Sequence, residues 1–415
     1  MMFHLVRCPS FCSQSIWICE QLYKRKCFEF QIYFKYTYIN YLEVMSGNTK
    51  KNYTVFKEAK FSVDSRYKIK QLLGKGTYGT VCSAIDTKSS SAEGEAVKIA
   101  IKRVTNIFEK EVLLNRAVRE LKLMRYFRGH KNIVNLIDLD IVYIEPYEGL
   151  YCYQELADYD LARVIYSAIQ FSEFHIQSFI YQILCGLKYI HSADVIHRDL
   201  KPGNILVTIQ GTLKICDFGL ARGINPVYFN HKTSPITNYV ATRWYRAPEL
   251  VLSHRNYGKS VDCWAIGCIL AELYGRKPLL MGKDKFHQLH EIIKILGTPS
   301  PEVISRNKWN LSTIAKPHYE KVNWINLYPF ASKSALDLID NLICWDPKSR
   351  FTVDQCLEHR HLSKIRDPDS EPVCSEPFDF SFEGSGTSMS GLKILLHEEV
   401  EAFKKERAEN KFKYN

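Results

Sequence analysis

The stretch His197-Arg198-Asp199-Leu200-Lys201-Pro202-Gly203-Asn204, followed by Asp217-Phe218-Gly219, decides how this chain is read. Asp199 is placed to orient a hydroxyl and accept its proton, and Lys201 to neutralise charge on a transferring phosphoryl group. Asn204 and Asp217 offer oxygen ligands to magnesium. Mg²⁺ favours one or two protein oxygens completed by phosphate oxygens and water, which is what so sparse a set supplies. An Asp in a loop is ordinarily a turn former, but here four positions fit one reaction, phosphoryl transfer.

Upstream, Gly74-Lys75-Gly76-Thr77-Tyr78-Gly79-Thr80-Val81 leaves one strand and returns into another, so its glycines would let backbone amides close over phosphates where a Cβ would collide. A dinucleotide site would instead open a helix at the third glycine. Lys102 ends the strand Ile99-Ala100-Ile101-Lys102, where a compact cation can reach α- and β-phosphates. Eighteen residues on, within the helical run Leu113 to Glu120, Glu120 supplies a carboxylate to hold it.

Composition sets the bounds. The 415 residues are 46% hydrophobic and 24% charged, the make-up of a globular protein with a sizeable core. The net charge of +11 comes from Lys and Arg spread along the chain, with no arginine-rich block, so nucleic-acid binding is not expected. Thirteen cysteines without C-x-x-C spacing read as reduced intracellular thiols. Cys216, beside Asp217, reads as a buried small residue. The most apolar run, Cys263 to Leu270, is short and bracketed by Asp262 and Glu272, so no transmembrane segment is expected.

Residues 1–44 stand apart: eleven are aromatic and Cys8, Cys12, Cys19 and Cys27 crowd among them, yet neither a signal nor a transit peptide fits. A start at Met45 would remove the anomaly; a real, unassigned extension is the alternative. A leader is expected over 45–66. From Tyr67 alternating apolar residues predict strands, with a hairpin loop at Ser89 to Gly94, and from about Ser172 helical periodicity dominates. A small sheet-rich lobe, 67–154, thus precedes a hinge, 155–160, and a larger helical lobe, 161–362, with a segment 363–415 after it.

The motif set resembles the eukaryotic protein kinases from roughly Tyr67 to Phe380, and implies their α+β bilobal fold, ATP and Mg²⁺ as cofactors, and Ser/Thr phosphotransfer. Tyr239-Val240-Ala241-Thr242-Arg243-Trp244-Tyr245-Arg246-Ala247-Pro248-Glu249 resembles the mitogen-activated (MAP) kinases, and Thr237-Asn238-Tyr239 sits where they carry a doubly phosphorylated T-x-Y pair. Asn is the middle residue where commoner branches have Glu, Pro or Gly. With Gly149 to Leu156 and Leu187 to Asp199, that pair is most similar to the yeast sporulation-specific branch, implying control of spore-wall assembly.

The resemblance implies that Leu73 and the glycine loop, Ala100, Lys102, Gln154 at the back of the adenine pocket and Leu206 beneath the purine bind ATP. Phosphate on Thr237 would meet Arg119, Arg198 and Arg222. Phosphate on Tyr239 would meet Arg243 and Arg246, shaping a pocket for proline after the target residue. Glu249 would pair with Arg350, and Asp262 would brace the catalytic loop. Asp367, Asp369 and Glu371 resemble an acidic docking site for basic partner motifs, with its acids redistributed. The helix from Leu392 to Phe403 would pack on the small lobe.

A monomer acting in cytoplasm and nucleus on Ser-Pro and Thr-Pro sites, downstream of an activating kinase or activator, completes the expectation. A cyclin-dependent kinase is disfavoured by the T-x-Y pair and by the Glu120 helix. A silent scaffold would show a lost Lys, Asp or Asn, and none is lost.

Overall fold

The computed structural model describes residues 53–76, 79–90, 96–224, 242–252, 257–309, 317–383 and 388–409. Ahead of the expected first strand lies a hairpin, β1 (Tyr53–Phe56) and β2 (Phe61–Asp64), turned by Lys60 in the left-handed region at φ 54°. Its Ala59, Phe61 and Val63 are buried with Tyr67, Ile99, Ile101, Tyr151 and Tyr153. The residues 45–66 are therefore not merely a leader. Part of them belongs to the small lobe, whose core they complete, and a four-residue alternation is too short to announce that.

Five strands form an antiparallel sheet in the order β3 (Tyr67–Gly76), β4 (Gly79–Ser90), β5 (Ala96–Val104), β7 (Gly149–Glu155), β6 (Leu136–Val142). The helix α1 (Glu111–Tyr126) enters between β5 and β6, burying Leu114, Ala117, Val118, Leu121 and Met124 on one face. The glycine turn between β3 and β4 admits no larger residue at its end, because a Cβ on Gly79 would sit 2.0 Å from the Arg103 carbonyl oxygen.

The second lobe opens with β8 (Tyr159–Asp160), α2 (Leu161–Ile165) and α3 (Glu173–Ser192), whose start is fixed by a capping box between Ser172 and His175. Short strands β9 (Val195–Ile196), β10 (Ile205–Val207), β11 (Leu213–Ile215) and β12 (Arg222–Gly223) carry the catalytic segments. Then come α4 (Pro248–Leu252), α5 (Ser260–Gly275), α6 (Lys285–Leu296), α7 (Pro301–Arg306), α8 (Trp324–Leu327), α9 (Lys333–Leu342) and α10 (Val353–Glu358). The apolar run Cys263 to Leu270 lies inside α5, buried in the middle of this lobe, and no described helix is long and apolar enough to cross a membrane.

The last helix, α11 (Met389–Ala408), returns to the small lobe. It buries Leu392, Leu396, Val400 and Phe403, and charged pairs lock it to α1 and β6: Arg125 to Glu399 at 2.8 Å, Arg125 to Glu406, Lys122 to Glu399 and Arg407 to Asp138. The expected return of this helix is what the fold contains.

Candidate active site

The loop from His197 to Asn204 hangs from one buried carboxylate. Asp262, on the first turn of α5, accepts the backbone N–H groups of His197 and Arg198 at 2.8 Å each and faces His191 Nε2 at 2.9 Å. Burial opposes its charge, but His191, His197 and the Arg198 amide hold the carboxyl below the usual range. Arg198 needs that support, since its φ of 68° is a conformation L side chains rarely adopt. The bracing expected of Asp262 is present.

The loop delivers three polar groups to one point. Lys201 Nζ lies 2.6 Å from Asp199 Oδ2, and Asn204 Nδ2 donates to the same oxygen at 2.9 Å and to the Asp199 carbonyl at 2.8 Å. Because its nitrogen is spent on Asp199, Asn204 keeps its side-chain oxygen for a cation. The His197 ring Nδ1 accepts the Asp199 amide at 3.3 Å, which steadies the acid from behind.

The acid Asp217 adopts the left-handed region, φ 66° and ψ 75°, with its side chain capping Gly219 N. Burial alone would raise its pKa; Lys102, Arg116 and Lys201 more than offset that and keep it ionised. Lys102 Nζ and Glu120 Oε1 are 2.5 Å apart, so α1 stands close against β5. Burial disfavours the Lys102 ammonium, but Glu120 and Asp217 raise its pKa above the ordinary value. A cavity of about 170 Å³ is lined by Gly76, Gly79, Val81, Lys102, Glu120 and Asp217 together with Arg116.

Ala100 and Gln154 are cross-strand partners on β5 and β7, and the Gln154 amide reaches Met124 Sδ at 3.5 Å, toward α1. Leu206, on β10, pairs with Asp160 and Lys214. Leu73, Gly74 and Lys75 lie on β3, and Thr80 and Val81 on β4. Thr77 and Tyr78 lie outside the described residues. Burial pushes the Cys216 thiol up to about 12, so it packs as an uncharged side chain rather than reacting.

Lys102 and Asp217 thus line the cavity, while Asp199, Asn204 and Lys201 form a hydrogen-bonded group on the catalytic loop, its lysine near enough to Asp217 to help hold that acid's charge. The arrangement suits metal-assisted phosphoryl transfer: Asn204 and Asp217 would hold Mg²⁺, which supplies charge neutralisation to the phosphates when bound. Among the described residues no group of three or more His, Cys, Asp or Glu could hold a metal by itself.

Around this centre, Arg119, Arg198 and Arg222 do converge: Arg119 lowers the basicity of both Arg198 and Arg222, and Arg222, chiefly through burial and then through Arg119 and Arg198, is pushed down to about 9. Thr237 and Tyr239 lie outside the described residues. Arg246 is held near Asp199 and Arg243. Glu249 and Arg350 form the expected pair, buried, at 2.7 Å.

One expectation needs correction. Glu371 is not an open docking acid: it is 6% exposed and bound by Arg366 at 2.9 Å and Lys188 at 3.0 Å, and these hold its pKa down against burial. Asp367 and Asp369 remain exposed. Two residues of the site escaped the sequence reading. Arg116, with its Nη2 3.9 Å from Asp217, lies one turn before Arg119 on the same helix face, a spacing that could have found it. Glu383, ion-paired to Arg119, is separated from it by 264 residues and gave no local signal.

Residues 67–362 match the protein kinase domain family. The chain is 58% identical over 360 residues to the sporulation-specific mitogen-activated protein kinase SMK1 of Saccharomyces cerevisiae, covering 85% of this chain and 92% of that one. It is 50% identical to the mitogen-activated protein kinase SLT2/MPK1 of the same yeast, over 83% of this chain and 71% of that one. It is 48% identical to the mitogen-activated protein kinase MPS1 of Pyricularia oryzae, over 84% and 83%.

Proposed function

The chain belongs to the protein kinase family, in its mitogen-activated branch, and is a Ser/Thr protein kinase; from that premise we propose a proline-directed enzyme switched on by phosphate on Thr237 and Tyr239. The observation that carries the reading is the joint placement of Asp199, Lys201, Asn204 and Asp217 opposite the closed Lys102–Glu120 pair. Asp199 accepts the proton of the substrate hydroxyl as its oxygen attacks the γ-phosphorus of ATP, the bond from that phosphorus to the β-phosphate's bridging oxygen breaks and ADP leaves, and Lys201 meets the charge that grows on the phosphoryl oxygens. Lys102, held by Glu120, orients the α- and β-phosphates. Magnesium is the proposed metal.

Phosphate on Thr237, with about two negative charges, would bind the cluster of Arg119, Arg198 and Arg222. Phosphate on Tyr239 would bind Arg243 and Arg246 and shape the pocket after the target residue. Asp367 and Asp369 would hold basic segments of substrates and activators. The relative of Saccharomyces cerevisiae, a sporulation-specific kinase by name, supports a role in sporulation; action as a monomer in cytoplasm and nucleus completes the proposal.

The test is phosphotransfer from Mg·ATP to Ser-Pro and Thr-Pro peptides against Ser-Ala and Thr-Ala controls, with Asp199→Ala beside the wild type and the loop phosphates mapped. Turnover that needs Asp199, prefers proline and rises with loop phosphorylation supports the reading. Equal rates on both peptide sets would overturn proline direction.

A further inference from the structure

The three arginines proposed to receive the loop phosphate already have a carboxylate among them. Glu383 ends a short turn, Ser381 to Glu383, and pairs with Arg119 Nε; its charge also reaches Arg198 and Arg222. The pair is nearly dry, with Arg119 5% and Glu383 7% exposed. Arg198, its guanidinium 4.9 Å from the Tyr257 ring, buries an Nε with no hydrogen-bond partner among the described residues, so the cluster retains capacity for more negative charge.

Glu383 is carried there by a folded segment. Phe380 presses on the activation segment so closely that a Cβ on Gly223 would lie 2.6 Å from its ring. The rings of Phe378 and Phe380 are 4.8 Å apart, those of Phe380 and Phe382 6.2 Å, and Phe378 N donates to the Ala193 carbonyl at 2.8 Å. Arg119 meanwhile binds the Gly219 carbonyl at 3.2 Å and Asn115 Oδ1 at 3.1 Å. One guanidinium therefore ties α1, the Asp217-Phe218-Gly219 turn and the C-terminal segment together. The next residue, Glu120, is the one that closes on Lys102.

We propose that Glu383 is a positioning residue: it serves as a built-in counter-ion for the arginine cluster while the loop carries no phosphate. By holding Arg119 it keeps α1 where Glu120 meets Lys102 and so sustains a basal turnover. A phosphothreonine, with roughly twice the charge, then takes over the cluster and raises the rate. This rests on the proposed reading of the cluster as the phosphothreonine acceptor.

The test uses the full chain in phosphatase-treated and loop-phosphorylated forms, comparing wild type, Glu383→Gln and Glu383→Asp by kcat, peptide KM and thermal denaturation. Unphosphorylated Glu383→Gln should lose about tenfold in kcat with peptide KM unchanged, Glu383→Asp should recover most of that loss, and the phosphorylated Gln variant should stay within about twofold of wild type. Equal losses in both forms would make Glu383 merely structural, and a faster unphosphorylated Gln variant would make the contact inhibitory; either overturns the proposal. Should the Gln variant fail to fold, Glu383→Ser, which removes the same charge and leaves all three phosphate-accepting arginines intact, should give the same split between forms. If phosphorylation leaves wild-type turnover unchanged, the acceptor reading itself fails. If it stimulates wild type while Glu383→Gln matches wild type in both forms, only the role of Glu383 falls.

Discussion

Replacing Asp262 with Asn keeps the side-chain shape and removes the charge from which the catalytic loop hangs. The carboxylate faces three donors, two of them backbone amides at 2.8 Å. An Asn turns one accepting oxygen into an NH₂ that must face one of those donors. Hydrogen bonds to a charged group contribute about 1.5–3 kcal/mol and neutral ones about 0.5–1.5, so the change costs about 2 kcal/mol. That is of the size of the backbone strain stored at Arg198, about 1–3 kcal/mol, so the loop is free to leave its reactive form. At 1.36 kcal/mol per decade, kcat should fall roughly thirtyfold, and the same loss, set against an unfolding entropy of about 2.1 cal/mol/K per residue over roughly 300 residues, should lower the melting temperature by about 3 °C. Steady-state phosphotransfer by the loop-phosphorylated protein and thermal denaturation measure the two. A variant with kcat within about twofold of wild type and an unchanged melting temperature would refute the claim that this carboxylate holds the loop. The carboxyl's pKa is held below its unfolded value, so its contribution is complete above that value, near 3.9, and disappears as pH falls through the lower folded one.

Lys102→Met and Asp199→Ala should each lower kcat by roughly a thousandfold or more with circular dichroism near wild type, and Lys102→Met alone should also lower the melting temperature, because it leaves the buried Glu120 without its partner. Arg350→Met should destabilise by about 3–5 kcal/mol in urea, since Glu249, 1% exposed, is left unpaired; adding Glu249→Gln should recover a large part, and a non-interacting double-mutant cycle would argue against the pair. His130 and His361 are buried and their pKa values are pushed down to about 4, mainly by burial, so the unfolded chain takes up protons first. Stability should fall as pH drops from about 6.5 to about 4, and His361→Gln should flatten that limb in urea titrations if the assignment holds. Truncation before Met389 should expose the α1 face that now buries Leu392, Leu396, Val400 and Phe403, losing soluble, cooperatively melting protein.

The proposed chemical roles were legible because each rests on residues close together in the chain. His197 to Asn204 is a single loop, and the Asp217 turn follows one short hairpin later, so the type and order of side chains already name the reaction. Lys102 and Glu120 were legible for a similar reason: one strand and one helix adjoin in sequence, and the fold needs only to set them side by side. The hairpin Tyr53 to Asp64 was not legible, since four-residue strands give too little alternation and their burial depends on Tyr151 and Tyr153, almost a hundred residues away.

Glu371 shows the opposite error. Its acidic surroundings in sequence suggested an open surface, but Arg366 and Lys188 turn it inward. Charge alone does not say whether a carboxylate meets solvent or a guanidinium. Glu383 makes the point most sharply, because nothing near it in sequence is basic and its partner lies on α1. Sequence by itself determined the fold class and the phosphoryl-transfer chemistry and pointed to the residues proposed to perform it, because those are set by side-chain type and short-range order. Only the tertiary structure decided which charges neutralise one another, since ion pairing depends on separation and dielectric, and both are created when distant segments pack and exclude water.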